Sequence, residues 1–193
     1  MLVHMATERE IKLPLPVDLK TIRRQLQKLH FQVSKRRSFE ANVLFDTTDA
    51  QLRTQGVLLR LRTEGVTTLL SYKGVGKPGK HKNREELETH LDNPKAFVQI
   101  LDRLGFRPGF RYEKFRTEFE RPDQSGVVML DETPIGNFLE IEGGARWIDQ
   151  TAKALGFAPA VYVTKSYGGL YLEYCERRAI SPTNMVFGRK KKA

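Results

Sequence analysis

Residues 8–13 read Glu-Arg-Glu-Ile-Lys-Leu, so that Glu8, Glu10 and Lys12 alternate with Ile11 and Leu13. Successive side chains of a β-strand point to opposite faces of a sheet. The segment therefore predicts a strand with one ionised face and one largely apolar face.

The same alternation recurs in later segments of the chain. Charged residues that share one face of a predicted strand are Arg60 with Arg62, Arg84 with Glu86 and Glu88, Lys114 with Arg116, and Glu140 with Glu142. Lys73 and Asp131 each end a predicted strand. Period-two patterns predict eight strands, at residues 7–13, 38–46, 57–63, 67–73, 84–91, 111–120, 127–131 and 137–142.

Helical periodicity is weaker and occurs in four short segments, at residues 18–30, 93–105, 145–155 and 166–177. Three of them end in similar tripeptides, which predict a common helix-to-strand connection: Leu29-His30-Phe31, Leu104-Gly105-Phe106 and Leu155-Gly156-Phe157. The predicted fold class is α+β. Its antiparallel sheet either stays open with the charged face in water, or closes into a barrel with the helices packed outside.

Length and composition restrict the kind of protein. The 193 residues are enough for one domain, predicted at residues 1–180, and a basic tail at 181–193, for which docking on a neighbour and disorder both stay open. No run of about 18 apolar residues is present, which excludes a membrane-spanning helix. Cys175 is the single cysteine, and the first residues lack a secretion signal, so we expect a cytoplasmic protein.

A barrel closed around its charged face would bring acids and bases together in its bore. Buried ions need partners, because an unpaired one costs several kcal/mol. Carboxylates suit hard divalent cations, and guanidinium and ammonium groups suit phosphate, so the implied ligand is a metal-bound polyphosphate. The acids are Glu8, Glu10, Glu86, Glu88, Asp131, Glu140 and Glu142, and the bases are Lys12, Arg60, Arg62, Lys73, Arg84 and Arg116.

These segments, in this order, resemble a known family. The chain is similar to the CYTH superfamily, the triphosphate tunnel metalloenzymes, which includes class IV adenylate cyclases, thiamine triphosphatases and inorganic triphosphatases. The resemblance spans residues 7 to about 175 and rests on Glu8-Arg9-Glu10-Ile11-Lys12, Phe45-Asp46-Thr47, residues 59–62, Tyr72-Lys73-Gly74, residues 84–88, Lys114-Phe115-Arg116, residues 136–142 and Lys165-Ser166-Tyr167. It implies an eight-stranded antiparallel β-barrel that forms a tunnel.

The resemblance also implies roles for individual residues. The metal, Mg²⁺ or Mn²⁺, is expected on Glu8, Glu10, Glu140 and Glu142. The triphosphate is expected among Lys12, Arg60, Arg62, Lys73, Arg116 and Lys165, to which the charged face of the fifth strand adds Arg84. Catalytic roles, either binding a second metal or orienting water, are expected of Glu86, Glu88 and Asp131.

The function implied is a metal-dependent triphosphatase acting on inorganic triphosphate or a small organic triphosphate. A class IV adenylate cyclase, which converts ATP to cyclic AMP and pyrophosphate, is the first alternative, and a polyphosphate-binding module without turnover is the second. The expected partner is a small molecule that carries a triphosphate; a membrane is not expected, and a homodimer stays open. The net charge of +10 alone would favour nucleic acid, but the basic segment 20–37 offers only Phe31 as a stacking platform.

Overall fold

Eight antiparallel strands close into a barrel in the computed structural model, which describes residues 4–16, 18–122 and 125–188. The strands are β1 (His4–Pro14), β2 (Gln32–Thr47), β3 (Leu58–Glu64), β4 (Thr67–Lys73), β5 (Lys82–His90), β6 (Phe106–Glu120), β7 (Gly126–Thr133) and β8 (Gly136–Gly143). Their order around the barrel is β1-β5-β4-β3-β2-β6-β7-β8. Of the two arrangements that the sequence left open, the closed one is therefore correct.

The described part of the chain also contains five α-helices, which lie outside the barrel: α1 (Leu19–Lys28), α2 (Gln51–Thr54), α3 (Pro94–Arg103), α4 (Ala145–Ala154) and α5 (Tyr167–Arg177). The N-caps follow from local chemistry. The Asp18 side chain accepts the backbone N–H groups of Lys20 and Thr21, and Asn93 accepts that of Ala96. None of the described helices is long and apolar enough to cross a membrane.

Two elements were missed by the sequence analysis, the short helix α2 and a 3₁₀ turn at Pro159–Val161. The carboxylate of Asp46, at the end of β2, accepts the N–H groups of Leu52 at 2.9 Å and Arg53 at 3.0 Å. These two bonds span six and seven residues, so the capping residue is not next to the start of the helix, where a sequence signal for a cap is expected.

Two strands begin five or more residues earlier than predicted. β2 begins at Gln32 rather than at residue 38, and β6 begins at Phe106 rather than at residue 111. The two strands pair from Gln32 opposite Glu120 to Thr47 opposite Phe106. This long-range ladder holds residues 32–37 extended, although their polar sequence has no regular alternation.

The helix ends share one backbone conformation. His30, Gly105 and Gly156 each have a positive φ, at 64°, 89° and 89°. The first two lead into β2 and β6, as predicted. The third does not lead into a strand: it leads into the 3₁₀ turn, after which Val163 forms a single bridge with Lys12.

The apolar core lies outside the barrel wall. Ile11 and Leu13 of β1 are fully buried against Ile22 of α1 and Ile148 of α4. Burying a large aliphatic side chain contributes about 1.5–3 kcal/mol, so this outer layer provides much of the fold's stability. The other face of each strand is consequently free to carry charge into the bore.

One end of the barrel is covered by α5 and the C-terminal segment. Tyr167 and Tyr171 of α5 pack with Tyr112, Phe138 and Met185. The backbone N–H of Met185 donates to Arg111 and its carbonyl accepts from Glu113. The predicted tail, residues 181–193, therefore packs on the barrel through Met185. Its last residues, 189–193, lie outside the described residues.

Candidate functional site

The bore contains a cavity of about 150 Å³ with mainly ionised walls. Most of the predicted site residues line it, namely Glu8, Glu10, Lys12, Arg60, Arg62, Lys73, Arg84, Glu86, Glu88, Arg116, Glu140 and Glu142. The alternation along the strands puts them there, because the intervening residues face the outer core. A cavity needs about 10–15 Å³ of this kind of volume to hold one water molecule, so this one has room for a slender ligand.

Acids and bases in the bore are paired. The carboxylate of Glu8 accepts from Lys73 Nζ at 2.8 Å and from Arg84 Nε at 2.9 Å. Burial pushes the pKa of Glu8 upward, but these two cations outweigh burial and hold the pKa below 4.5. Glu10 accepts from Lys12 at 2.7 Å and from Lys82 at 2.8 Å.

A second group of charges lies on β3, β4 and β5. Arg60 donates to Glu88 at 3.0 Å and to Ser71 at 3.1 Å, and it is 3.4 Å from Glu86. Lys73 is 2.6 Å from Glu86. The pKa of Glu86 is raised by burial, with repulsion from Glu8 adding to the effect, whereas hydrogen bonding from Ser71 and the charge of Arg60 outweigh burial and lower the pKa of Glu88.

Asp131 is fully buried and does not line the cavity. Its two oxygens accept from Arg116 at 2.7 and 2.6 Å, from Lys114 at 3.0 Å and from the Tyr167 hydroxyl at 2.5 Å. Burial opposes ionisation of Asp131, but Arg116 and Lys114 outweigh it and lower the pKa. With both oxygens bonded, Asp131 holds Arg116 in place.

Carboxylates crowd together where β1 meets β8. Glu142 lies opposite Glu10, and Glu140 lies opposite Lys12. Burial raises the pKa of Glu142 from 4.5 to about 7, and repulsion from Glu8, Glu140 and Glu10 adds to the effect. Negative charge is therefore in excess at this position.

This excess bears on whether the residues fit a divalent cation. Glu8, Glu10, Glu140 and Glu142 supply the carboxylate oxygens that Mg²⁺ and Mn²⁺ prefer. Within the described ranges, no group of three or more Asp, Glu, His or Cys side chains is already arranged around a common point. The donor set thus fits such a cation in chemistry and charge, while Glu8 and Glu10 face ammonium groups instead.

Lys165 is the predicted phosphate ligand that the structure does not bring to the bore. Its side chain is 59% exposed and pairs with Glu173 of α5. It does not line the cavity, although its neighbours Ser166 and Tyr167 do. Its proposed contact with phosphate remains a prediction.

Four of the residues that line the bore and were missed are basic or aromatic: Lys82, Lys114, Tyr112 and Tyr167. Lys82 belongs to the same alternation as Arg84, but the predicted strand begins at residue 84, whereas β5 begins at Lys82. Burial and the charge of Lys12 lower the pKa of Lys82 to about 8, although Glu10 opposes them. Lys114 shares a face with Arg116, a signal that was available in the sequence.

A second cavity of about 640 Å³ adjoins the bore at the end covered by α5. The two cavities share four lining residues, Leu44, Leu58, Ser166 and Gly168. Its walls are largely apolar and include Phe45, Val57, Phe110, Tyr171 and Leu172. This volume lies within the usual range of about 300–1,000 Å³ for small-molecule pockets.

Fold and site together define a β-barrel tunnel protein with a charged bore. The chain belongs to the CYTH domain family, whose model matches residues 6–155.

One curated protein and two solved structures are similar to the chain. A protein from Methanocaldococcus jannaschii, provisionally named an adenylate cyclase, is 29% identical over 147 residues, which are 76% of this chain and 83% of the relative. A structure from Vibrio parahaemolyticus, also provisionally named an adenylate cyclase, has a TM-score of 0.72 and 19% identity over 86% of this chain and 98% of its own. One from Hippeastrum, described as an adenylyl cyclase candidate with a dominant triphosphatase activity, has a TM-score of 0.61 and 19% identity over 91% and 97% of the two chains.

Proposed function

We propose that the chain is a metal-dependent triphosphatase that hydrolyses the terminal phosphoryl group of a triphosphate inside its bore. The observation that supports the proposal most is the set of cationic side chains facing one narrow cavity. Lys12, Lys73 and Arg84 are there held by carboxylates within 3 Å. Phosphate oxygens can take over these donors, because ammonium and guanidinium groups bind them well.

The metal, Mg²⁺ or Mn²⁺, would be held by Glu8, Glu10, Glu140 and Glu142. When bound, it supplies positive charge that offsets the charge of the phosphates and draws electrons from phosphorus. The pKa of Glu142, raised to about 7 by burial and by its acidic neighbours, reports the same local need for a cation.

The chain's own residues bind and orient the substrate and accept the proton. Three cations hold the phosphate chain, namely Arg60, Lys73 and Arg116, the last of which is fixed by Asp131. They stabilise the leaving oxygen without reorganising. Glu86 has a pKa raised by burial and by Glu8, which suits it to accept a proton from the attacking water. The water oxygen bonds to the terminal phosphorus as the bridging P–O bond breaks, and a diphosphate and inorganic phosphate leave.

The second cavity favours a small organic triphosphate over inorganic triphosphate. Phe138, near the start of β8, packs on Tyr167 at the α5 end, and Glu142 lies four residues further along. At about 3.4 Å per residue, Glu142, the most distant of the crowded carboxylates, is about 14 Å along the strand from Phe138. An organic group in the apolar cavity would therefore direct the terminal phosphate toward them.

An adenylate cyclase is the second candidate, and the provisional names of the Methanocaldococcus and Vibrio relatives favour it. The Hippeastrum protein's described triphosphatase activity favours hydrolysis. Cyclase chemistry occurs at the phosphorus next to the nucleoside. In the orientation above, that atom lies at the α5 end, away from Glu142, so the geometry supports hydrolysis better.

The test is phosphate release by the purified chain with Mg²⁺ or Mn²⁺ from inorganic triphosphate, thiamine triphosphate and ATP, with product analysis for cyclic AMP. We expect phosphate from at least one substrate and no cyclic product. Glu10→Gln should abolish turnover and Arg62→Ala should raise KM, whereas Glu85→Gln, an exposed change on β5, should leave both unchanged. Cyclic AMP as the main product would replace the proposal with a cyclase, and tight binding without turnover would replace it with a binding module.

A further inference from the structure

Glu40, on β2, is a carboxylate buried in the wall of the bore. Its side chain is fully buried, and neither of its oxygens accepts a hydrogen bond from a described residue. A buried carboxylate is normally hydrogen-bonded, because desolvating an ionised group without compensation costs several kcal/mol. Its surroundings must therefore compensate the charge in another way.

The compensation comes from three cations at longer distances. Lys114 Nζ and Arg62 Nε are each 3.5 Å from Glu40, and Arg116 Nε is 4.0 Å away. All three cations line the cavity, whereas Glu40 does not. Lys114, Arg116 and Arg62 outweigh burial and lower the pKa of Glu40, so it is ionised.

Asp131 provides a contrast on β7, which is separated from β2 by β6. It grips Arg116 with bonds of 2.7 and 2.6 Å, in the arrangement expected of a residue that fixes an arginine. Glu40 makes no such bond. It therefore leaves available to a ligand those N–H donors of Arg62 and Lys114 that are not already given to Asn42 and Asp131. Its negative charge nevertheless stays close to that ligand.

We propose that Glu40 is an internal counter-anion of the bore: it balances Arg62, Lys114 and Arg116 before phosphate arrives, and it then repels bound phosphate, which limits affinity and speeds the release of product. This inference rests on the proposed function. Interactions that hold substrate and product equally tightly do not raise kcat, so a charge that weakens both promotes turnover when release is slow.

A merely structural role makes the opposite prediction. If Glu40 served to orient Arg62 and Lys114, removing its charge would loosen these cations and weaken phosphate binding. The sign of the change in affinity therefore separates the two roles.

The test is calorimetric titration of wild type and Glu40→Gln with inorganic triphosphate and, separately, pyrophosphate, each with Mg²⁺. The amide has the size of the carboxylate without its charge. We expect the Kd for pyrophosphate to fall at least about tenfold, since one charge a few ångströms away acts strongly in a buried site. KM and kcat for the best triphosphate substrate should fall together.

Two variants serve as controls. Glu132→Gln removes the same charge from the outer wall, where Glu132 pairs with Arg37 at 2.8 Å, and should leave both Kd values unchanged. Glu40→Asp keeps the charge and should restore wild-type affinity to within about threefold. Equal or weaker pyrophosphate binding by a folded Glu40→Gln protein would overturn the inference.

The reverse perturbation covers the case in which Glu40→Gln does not fold. Asn42 is buried on the same strand, and its Oδ1 accepts from Arg62 Nε at 3.3 Å. Asn42→Asp adds a second negative charge and should weaken pyrophosphate binding at least about fivefold, whereas unchanged or tighter binding would refute the inference. If wild type binds neither anion, the proposed function fails as well; if wild type binds and the variants do not shift, only the counter-anion is wrong.

Discussion

Replacing Glu142 by Gln should stabilise the metal-free protein at alkaline pH. Burial and three acidic neighbours, Glu8, Glu140 and Glu10, raise the pKa of Glu142 to about 7. The amide has the same shape but no charge. The substitution therefore removes repulsion and keeps the packing.

The magnitude follows from proton linkage. The pKa in the folded state, about 7, lies above the unfolded value of 4.5, so the folded state binds the proton more tightly. The contribution of this proton to the free energy of unfolding is fully present below pH 4.5. It is lost as the pH rises through 7, because ionisation of the carboxyl is opposed only in the folded state. The two pKa values differ by about 2.5, and a pKa difference of one corresponds to about 1.36 kcal/mol. The ionised carboxylate therefore costs the folded state about 3 kcal/mol above pH 7.

Thermal unfolding followed by circular dichroism, in EDTA at pH 8 and at pH 5, measures this cost. For a chain of this size, about 3 kcal/mol corresponds to a rise in Tm of roughly 6–12 °C at pH 8. At pH 5 the two proteins should melt within a few degrees of each other, because the carboxyl is then largely protonated in the folded state. Mg²⁺ at pH 8 should raise the Tm of wild type more than that of the variant.

Glu85→Gln is the matched control, because it removes a charge from an exposed position on β5. It should leave the Tm unchanged at both pH values. Equal Tm values for wild type and Glu142→Gln at pH 8 in EDTA would refute the reasoning, since the carboxylates would then not be crowded in the folded state.

Three further substitutions test other parts of the structure. Tyr167→Phe removes the hydroxyl that donates to buried Asp131 at 2.5 Å, and should lower the free energy of unfolding by about 2 kcal/mol in urea titrations; an unchanged midpoint would show that the bond contributes nothing. Leu26→Ala, in the fully buried core beneath α1, should cost about 2–5 kcal/mol while leaving phosphate binding intact, as calorimetry on the folded variant would check. Asn93→Ala removes the cap that accepts the Ala96 N–H and should cost about 1 kcal/mol, with faster amide exchange confined to α3; exchange that is unchanged there would contradict this.

Much of the barrel could be predicted because its alternation is unusually regular. Glu8, Glu10 and Lys12 specify one face of β1 with no knowledge of its neighbours, and the structure pairs that face with Glu140 and Glu142. The same alternation on the other strands predicted a shared charged face, and most of its charged residues line one cavity.

The rest depended on contacts that are distant in sequence. The first residues of β2 are extended because β6 pairs with them, and α2 is capped by Asp46 from the end of a strand. Glu40 was missed because Ser38 and Asn42, the nearest residues on its face of β2, carry no charge and so give no sign of an ionised face. Lys165 was expected in the bore from the resemblance alone, and the structure pairs it with Glu173 on the surface.

Both faces of the barrel wall are demanding, because ion pairs line the bore and apolar side chains cover the outer face. A single inserted residue in the middle of β1 would turn Lys12 toward Ile148 and Ile11 toward Glu140, exchanging the two environments along the remainder of the strand. Such a shift can be absorbed only where a ladder already has an irregularity, as β2 has between Val33 and Lys35 and between Leu44 and Phe45. Changes of chain length in natural variants should consequently gather in the hairpins and at these irregularities, and spare the uninterrupted strands.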